Sequence, residues 1–575
     1  MPQSHTENTL MPIFVENELI KADSHIKVGE LAEAEGIYKK VLSEFPNDKK
    51  AIQGYQELKA EIDTNSALKS EPPQEQVQEL INICTREQHS PGRMAVALVQ
   101  AEMLTQQYPK SFVAWSILGF ANQGVGRSAD AVKAFDKVTE LNPNYSDGLN
   151  NLGTVLKTQG RLEEALEVFK KLQTFKPKSL STYKKILLLE FQIKALLINP
   201  LFTDLSLEYF QSHKNQKTTD QMFANFPDTE NSFFVSIVSE VIKALDNNKF
   251  NDNFDTERFN YDGNDHSNDW RHQEYLFFFN WFVENHSSLF EVFLALEDKR
   301  SKQLFLHLLA YRMGSHFTVK LPLKFREGSS EHDYLKLEYS SASDLKISGF
   351  VGNLRHYKFI FDDKQYCVDC MGLRYYLQRK QYFLSRNATS VQPETGDYVV
   401  DGGACWGDTA AVFSNAVGEK GIVYSFDPLV DHIEILNYNI AQFPINNVKI
   451  MPFGLANENV DAEPIRLNSY DPGFNIANKV VPLRKIDTLV DSKEIQRIDF
   501  IKLDVEGFEM QVLLGARVAI NKFKPKLAVS LYHKPDDMFE ILAYIKKHHP
   551  FYKFYLGHYT IHTEETVLYC DPIVR

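Results

Sequence analysis

The chain has 575 residues, of which 43% are hydrophobic and 12% are aromatic. This length exceeds what one hydrophobic core usually supports, so about three domains are predicted, and the composition is typical of a folded globular protein. The formal net charge of −13 argues against a nucleic-acid-binding protein, because neutralising phosphates requires clustered Lys and Arg.

The compartment is predicted from cysteines and apolar runs. Five cysteines in a chain of this length do not make a disulfide framework. The N-terminal residues lack a basic segment followed by an apolar one, so no secretory signal is predicted. The apolar run at 275–283 is too short to span a bilayer. These features predict a cytoplasmic protein without a transmembrane segment.

A regular period runs through the N-terminal region. Pro109, Pro143 and Pro177 are each separated by 34 residues, and Gly119 and Gly153 repeat with the same spacing. The pattern resembles the tetratricopeptide repeat (TPR), a pair of antiparallel helices with small residues where the helices approach closely and a proline at the end. The resemblance implies a concave surface for an unknown protein partner. The alternative is an array that only rigidifies or dimerises the chain.

The repeat region is predicted to cover 15–198. A segment with serines and prolines at about 64–77 interrupts the repeat register and is interpreted as a linker. No proline follows one period after Pro177, so 180–198 is predicted to form a capping helix.

A mainly helical middle region is predicted at 199–345, as a possible substrate region. Apolar residues recur with helical spacing at 232–245 and at 287–313. Between these segments, 246–269 is rich in Asn and Asp and is predicted to be a loop. From 346 onward, short apolar runs with turns lead into the C-terminal domain, which is predicted to cover 346–575.

The segment YVVDGGACWGDT at 398–409 predicts a strand, a glycine turn and a helix start. In open α/β sheets this arrangement marks the edge where nucleotide-like ligands bind. Asp401 ends the strand and places a negative charge where a pyrophosphate would be disfavoured. S-adenosylmethionine carries a positive sulfonium and no phosphate, so the pattern favours this cofactor over a dinucleotide.

A second predicted strand, YSF, ends at Asp427, 26 residues after Asp401. An acidic side chain there is placed to accept hydrogen bonds from both ribose hydroxyls, although dinucleotide enzymes use the same geometry. The predicted cofactor-binding residues are Asp401, Gly402, Gly403, Ala404, Gly407, Asp408, Thr409, Asp427 and Pro428. For Asp408 and Thr409 the alternative is that they cap the helix.

A third strand, IDFIKLDV at 498–505, ends in further carboxylates. Asp504 and Glu506 follow it and are expected to face the same crevice as Asp401, because the carboxyl ends of parallel strands meet at one edge of a sheet. The alternative for Glu506 is a helix-capping role.

The segments VVDGGACWGDT, YSFDP and FIKLDVEGFEMQVLLGA resemble the motifs of the FkbM family of methyltransferases. The resemblance covers about 395–530 and extends toward the C-terminus through 527–541 and 556–570. It implies a Rossmann-like class I methyltransferase fold, S-adenosylmethionine as the cofactor, and O-methylation of hydroxyls on sugars or polyketides. Family members often carry Glu before the proline of the second strand, where this chain has the shorter Asp427.

Methylation of an alcohol requires a base that takes the hydroxyl proton. A carboxylate beside a sulfonium would have its pKa lowered, whereas a histidine is ordinarily neutral near pH 7. His533 is therefore predicted to be the general base and Asp504 to position the acceptor, with His558 as a further candidate. The alternative for His533 is a structural loop histidine. No metal site is predicted, because the cysteines at 367 and 370 lack a second pair nearby.

Together these features predict an N-terminal α-helical TPR solenoid, a helical middle region and a C-terminal α/β Rossmann-like methyltransferase domain. The predicted function is transfer of a methyl group from S-adenosylmethionine to a hydroxyl, on a sugar of a glycan or glycolipid. Two alternatives remain. One is an NAD- or nucleotide-sugar-dependent oxidoreductase, and the other is a TPR interaction protein with an inert methyltransferase domain.

Overall fold

The computed structural model describes residues 7–573 with internal gaps. The gaps are 69–70, 87–90, 178, 203–204, 206–222, 224–225, 248–267, 315–317, 322–337, 346–353, 362, 374–376, 378, 387, 466–478 and 561–562. The chain divides into two compact units, Met1–Leu189 and Glu190–Arg575. Among the described residues, every helix is too short or too polar to cross a bilayer.

The first unit consists of antiparallel helices that follow one another along the chain. They are α1 Glu7–Lys27, α2 Leu31–Glu44, α3 Lys49–Leu68, α4 Gln74–Arg86, α5 Pro91–Gln107, α6 Phe112–Gly124, α7 Ser128–Leu141, α8 Ser146–Thr158 and α9 Leu162–Phe175, and α10 Leu180–Ile198 begins in it. Helix α3 ends at Leu68 and α4 begins at Gln74, so the interruption predicted at 64–77 is shorter. The physical reason is that prolines directly before a helix are compatible with its first turn.

Equivalent glycines set the packing within successive helix pairs. A Cβ atom on Gly119 in α6 would lie 2.6 Å from the ring of Phe135 in α7. A Cβ atom on Gly153 in α8 would lie 2.7 Å from the ring of Phe169 in α9. Both rings are fully buried. The small residues of the 34-residue period therefore lie where the helices pack closely, and the predicted helical repeat fold is confirmed.

The second unit contains α11 Glu230–Asn247, α12 Asn268–Ala295 and α13 Lys299–Gly314. The helix predicted over 287–313 is therefore two helices. They separate because Leu296 pairs with Phe554 in a β-bridge and the backbone N–H of Glu297 donates to the Phe554 carbonyl at 3.0 Å. Most of the loop predicted at 246–269 lies outside the described residues.

Smaller sheets precede and flank the main sheet of this unit. Strands β1 Glu338–Ala342, β2 Arg355–Phe361 and β3 Lys364–Cys370 form one antiparallel sheet, and β4 Leu384–Arg386 pairs with β5 Thr389–Val391. A third sheet contains β9 Gly454–Leu455, β10 Val460–Ile465 and β11 Lys479–Arg484.

The main sheet has seven strands in the order β14-β15-β13-β12-β6-β7-β8. The strands are β6 Tyr398–Gly402, β7 Ile422–Phe426, β8 Val448–Met451, β12 Phe500–Leu503, β13 Lys526–Ser530, β14 Tyr552–His558 and β15 Thr566–Pro572. Strands β6, β7, β8, β12 and β13 are parallel, whereas β15 runs antiparallel to β13 and β14. The direction of strand addition reverses between β6 and β12, and this switch point opens a crevice at the carboxyl ends of the strands.

Helices connect the parallel strands and cover the sheet. They are α14 Asp408–Val417, α15 Val430–Ile440, α16 Ile486–Asp491, α17 Glu509–Gly515, α18 Arg517–Phe523 and α19 Asp537–His548. The strands read as nearly continuous apolar runs, as expected when both faces of a sheet are buried. The register pairs Asp401 with Lys502 and Gly402 with Leu503, which brings the loops after β6 and β12 together.

Candidate functional site

Two glycines in the turn after β6 occupy positions without room for a side chain. Gly403 has φ +79°, and a Cβ atom there would lie 1.8 Å from the carbonyl oxygen of Asp504. Gly407 has φ +87°, and its Cβ atom would lie 2.6 Å from Leu436. The backbone N–H groups of Gly403 and Ala404 both donate to the carbonyl of Phe426, at 3.0 and 2.9 Å. Glycine is therefore required where the turn meets the loop that follows β12.

Asp401 lies beneath this turn and is fully buried. One carboxylate oxygen accepts a hydrogen bond from the Thr409 hydroxyl at 2.9 Å, and the other lies 3.2 Å from the ammonium of Lys502. Lys502 also donates to the carbonyls of Gly402 and Gly403, at 3.0 and 2.7 Å. Burial alone would lower the pKa of Lys502, but Asp401 and nearby carboxylates hold it above its usual value.

This geometry corrects the sequence argument about charge. The negative charge of Asp401 is compensated by Lys502 and supports the turn from within the sheet. Lys502 was missed, although a lysine in the apolar strand IDFIKLDV was a visible signal of a buried ion pair. Contact between Asp401 and a cofactor stays a prediction.

Asp427 lies at the tip of β7, as its sequence position predicts. Its carboxylate accepts hydrogen bonds from the backbone N–H groups of Leu429 at 2.9 Å and Cys405 at 3.1 Å, and lies 3.0 Å from Nδ1 of His432. Pro428 packs beside Gly454. These contacts fix the carboxylate next to the glycine turn, so a ribose there would share an acceptor that already has protein donors.

The first residues of α14 make capping contacts. Asp408 is buried, its carboxylate accepts a hydrogen bond from the Thr409 N–H at 2.8 Å, and burial raises its pKa to about 7. A carboxylate thus occupies the helix N-terminus, which in dinucleotide-binding folds receives the pyrophosphate. The Thr409 hydroxyl is directed to Asp401. Asp408 therefore has a contact that the capping alternative describes, whereas Thr409 supports the Asp401 carboxylate instead.

Asp504 is held at the end of β12 by two phenol groups. The Tyr532 hydroxyl donates to one carboxylate oxygen at 2.8 Å, and the Tyr382 hydroxyl donates to the other at 2.8 Å. The Nε2 atom of His533 lies 3.6 Å from the first oxygen. The structure therefore brings the predicted pair Asp504 and His533 together.

Two further carboxylates surround the imidazole. Nε2 of His533 lies 3.6 Å from Glu506, and Nδ1 lies 2.8 Å from Glu509. We call Asp504, Glu506, Glu509 and His533 the acid–histidine cluster. Glu509 is fully buried in the first turn of α17, whereas the Glu506 side chain is 41% exposed. Glu506 also has φ +53°, a left-handed conformation that is costly for a residue with a side chain.

The electrostatics of the cluster differ from the sequence expectation. Burial alone would lower the pKa of His533, but Glu509, Asp504 and Glu506 outweigh that effect and raise it to about 10. Partial burial raises the pKa of Glu506 to about 7. An imidazole that is already protonated cannot accept a proton, so the surroundings of His533 disfavour the base role, which stays a prediction. Sequence analysis did not identify Glu509 as part of the site, although the spacing EGFE places it three residues after Glu506.

His558 lies on β14. It is buried, and its Nδ1 atom lies 2.8 Å from the hydroxyl of Thr566, its partner in the strand register. A catalytic role for His558 stays a prediction.

Two stretches of the chain match known protein families. Residues 395–551 match the methyltransferase FkbM domain, and residues 134–167 match the tetratricopeptide repeat. The chain therefore contains a methyltransferase domain of the FkbM type and TPR, a repeat typical of protein interaction. Both predicted resemblances are confirmed.

Solved structures that are similar to parts of this chain include a methyltransferase and MamA. The methyltransferase FkbM from Methylobacillus flagellatus KT is 21% identical, with a TM-score of 0.33, over 50% of this chain and 60% of that chain. The chain thus spans less than two thirds of that protein. MamA is 22% identical, with a TM-score of 0.17, over 30% of this chain and 80% of that chain. No curated protein gives a significant match.

Proposed function

We propose that this chain, which contains an FkbM methyltransferase domain and TPR, transfers a methyl group from S-adenosylmethionine to a hydroxyl of a carbohydrate in a glycan or glycolipid. The observation that supports this cofactor is the acidic edge of the crevice. Asp504 and Glu506 lie in the loop after β12, and the Asp408 carboxylate occupies the start of α14. These carboxylates disfavour a pyrophosphate and favour a cationic sulfonium compound.

In this proposal, the predicted cofactor-binding residues contact different parts of S-adenosylmethionine. The glycine turn at 402–407 lets backbone approach the cofactor closely, and the ribose hydroxyls would share the Asp427 carboxylate at the tip of β7 with its protein donors. When bound, S-adenosylmethionine supplies an electrophilic methyl carbon. The Tyr382 and Tyr532 hydroxyls fix Asp504, which positions the acceptor hydroxyl.

In this proposal, Glu506 is the general base that takes the proton of the acceptor hydroxyl. Its side chain is 41% exposed, against 15% for Asp504 and 0% for Glu509, so it is the cluster carboxylate most accessible to a substrate. As the acceptor oxygen bonds to the methyl carbon, the carbon–sulfur bond breaks and sulfur keeps the electron pair. Glu506 takes the hydroxyl proton. His533, as an imidazolium, balances the charge of the neighbouring carboxylates.

Calorimetric titration of the full chain tests the cofactor. We expect S-adenosylhomocysteine to bind and NAD⁺ not to bind. Asp427→Asn is expected to weaken S-adenosylhomocysteine binding by about tenfold, or about 1.4 kcal/mol, because a ribose acceptor is lost. Glu434→Ala, an exposed change on the neighbouring helix α15, is the matched control and should bind normally. Binding of NAD⁺ alone would instead support an oxidoreductase.

The acceptor class needs a separate test. Cells with and without the protein are compared by mass spectrometry of their glycans and glycolipids, and loss of one methylene increment is expected without it. An unchanged profile, with S-adenosylhomocysteine still bound in vitro, would contradict the carbohydrate assignment. We further propose that the TPR region binds a protein partner and that the protein acts in the cytoplasm, consistent with its five free cysteines.

A further inference from the structure

The acid–histidine cluster contains several side-chain atoms that could bind a metal ion and that proton transfer to Glu506 does not require. One side-chain atom each of Asp504, Glu509 and His533 lies within 4.8 Å of the others. That span is close to twice a metal–ligand bond of about 2.0–2.2 Å, so small side-chain rotations would direct all three at one ion. The three residues come from the end of β12, the start of α17 and the loop after β13.

Several of these atoms lack hydrogen-bond partners although they are buried. Among the described residues, Oε2 of the fully buried Glu509 has no hydrogen-bond partner. Neither ring nitrogen of His533 has a well-aligned one, even though Nδ1 lies 2.8 Å from Glu509. The side chain of His533 is 9% exposed. Unpartnered polar atoms in such a position cost free energy, which points to a missing ligand.

The surrounding contacts orient these atoms. The Val505 N–H donates to Oε1 of Glu509 at 2.9 Å, which leaves the other oxygen free to bind an ion. The Tyr382 and Tyr532 hydroxyls each donate to one oxygen of Asp504. Hydrogen bonds of this kind hold metal ligands in place in known sites. The nearby Lys534 ammonium is directed to the Gly507 carbonyl, not toward the imidazole.

We propose that Asp504, Glu509 and His533 bind a divalent transition-metal cation that activates the acceptor hydroxyl. Two carboxylates and one imidazole, which becomes a ligand by releasing its proton as the cation binds, suit ions such as Mn²⁺ or Zn²⁺, and the imidazole disfavours Ca²⁺. Three protein ligands leave coordination positions open for a substrate oxygen. This inference rests on the proposed methyl transfer and adds a cofactor to the same site.

The cation accounts for how a weak nucleophile is activated. An alcohol bound to a divalent cation loses its proton more readily, and that proton passes to Glu506. The oxygen then forms its bond to the methyl carbon as the carbon–sulfur bond breaks, and the electron pair stays on sulfur. Glu506 is left out of the ligand set because its side chain is 41% exposed, and its proposed task is to take the proton.

Mn²⁺ binding to the full chain tests the site without requiring catalysis. The protein is treated with EDTA, desalted and titrated with Mn²⁺, and free Mn²⁺ is measured by electron paramagnetic resonance. We expect one bound Mn²⁺ with a nitrogen coupling from the imidazole in pulsed spectra. Glu509→Gln and His533→Gln are expected to weaken binding by at least about tenfold. Glu540→Gln and His549→Gln are the matched controls and should bind Mn²⁺ normally.

Binding of S-adenosylhomocysteine by the same samples separates the two proposals. If the wild type binds S-adenosylhomocysteine but not Mn²⁺, the metal site is overturned and methyl transfer stands. If Mn²⁺ binds without S-adenosylhomocysteine, the site stands and methyl transfer is overturned. Bound Mn²⁺ without nitrogen coupling in the wild type also overturns the site, and this result does not depend on whether either variant folds.

Discussion

Asp401 and Lys502 face each other on β6 and β12, buried at the centre of the main sheet. Asp401→Ala would leave the Lys502 ammonium without its nearest counter-ion. We expect it to destabilise the second unit by about 3–5 kcal/mol, measured by urea unfolding. The double variant Asp401→Leu with Lys502→Met should recover most of this loss, because an apolar pair replaces the ion pair.

The same variants separate a structural role from a cofactor contact. If Asp401→Ala keeps its stability but loses S-adenosylhomocysteine binding, the aspartate serves the cofactor and not the sheet. Stability lost in the single variant and regained in the double variant supports the ion pair.

His549 makes the free energy of unfolding of the second unit depend on pH. It is fully buried after α19, and burial, followed by the positive charges of His548 and Arg517, lowers its pKa to about 4. The unfolded chain takes up this proton near pH 6.5, so between about pH 6.5 and 4 the unfolded state binds more protons. The contribution of His549 to stability should therefore fall by about 2–3 kcal/mol as pH drops through this window.

Urea unfolding at several pH values measures this effect. His549→Gln should remove this contribution from the pH dependence between pH 6.5 and 4, because the neutral amide takes up no proton. His25→Gln, a change on α1 in the first unit, should leave the slope of the second unit unchanged. An unaltered slope in His549→Gln would contradict the assignment.

At the scale of elements, the repeat helices pack through their glycines. Gly153→Val places side-chain atoms where the ring of Phe169 lies, so α8 and α9 must separate. We expect a destabilisation of about 1–3 kcal/mol, measured by faster hydrogen exchange in both helices of the full chain. Gly36→Ala is the control: it lies in α2 with nothing within 4 Å of its Cβ position. It should stabilise α2 by about 0.5–1 kcal/mol.

At the scale of the whole molecule, helices α12 and α13 of the middle region pack against the methyltransferase domain. The Trp281 indole N–H donates to Asp536 at 2.7 Å, and the Leu556 N–H on β14 donates to Ser301 at 2.8 Å. Arg386 forms an ion pair with Asp298 at 3.3 Å. From Leu304 to Gly314 every residue of α13 is buried. The described helices of the middle region predicted at 199–345 thus pack against the sheet.

This packing predicts how fragments behave. A fragment covering 346–575 would expose the strand edge and apolar surface that α12 and α13 cover, so we expect aggregation. A fragment covering 190–575 should be monodisperse with a cooperative thermal transition. Gel filtration and near-ultraviolet circular dichroism distinguish the two. A soluble, cooperatively folding 346–575 fragment would support the predicted domain boundary instead.

The sequence by itself determined the local patterns. The period of 34 residues predicted the helical repeats, because the same small residue must recur wherever helix pairs approach. The apolar runs ending at Asp401, Asp427 and Asp504 predicted parallel strands whose carboxyl ends form one edge. These features depend on spacing along the chain, so they were visible without a structure.

The tertiary structure decided which charges meet. Lys502 approaches Asp401 only through strand register, and Glu509 and Asp504 approach His533 only because α17 and the loop after β13 converge. The protonation of a side chain depends on charges a few ångströms away in space, whatever their distance in sequence. For that reason His533 was predicted as a neutral base, whereas its surroundings favour a cation.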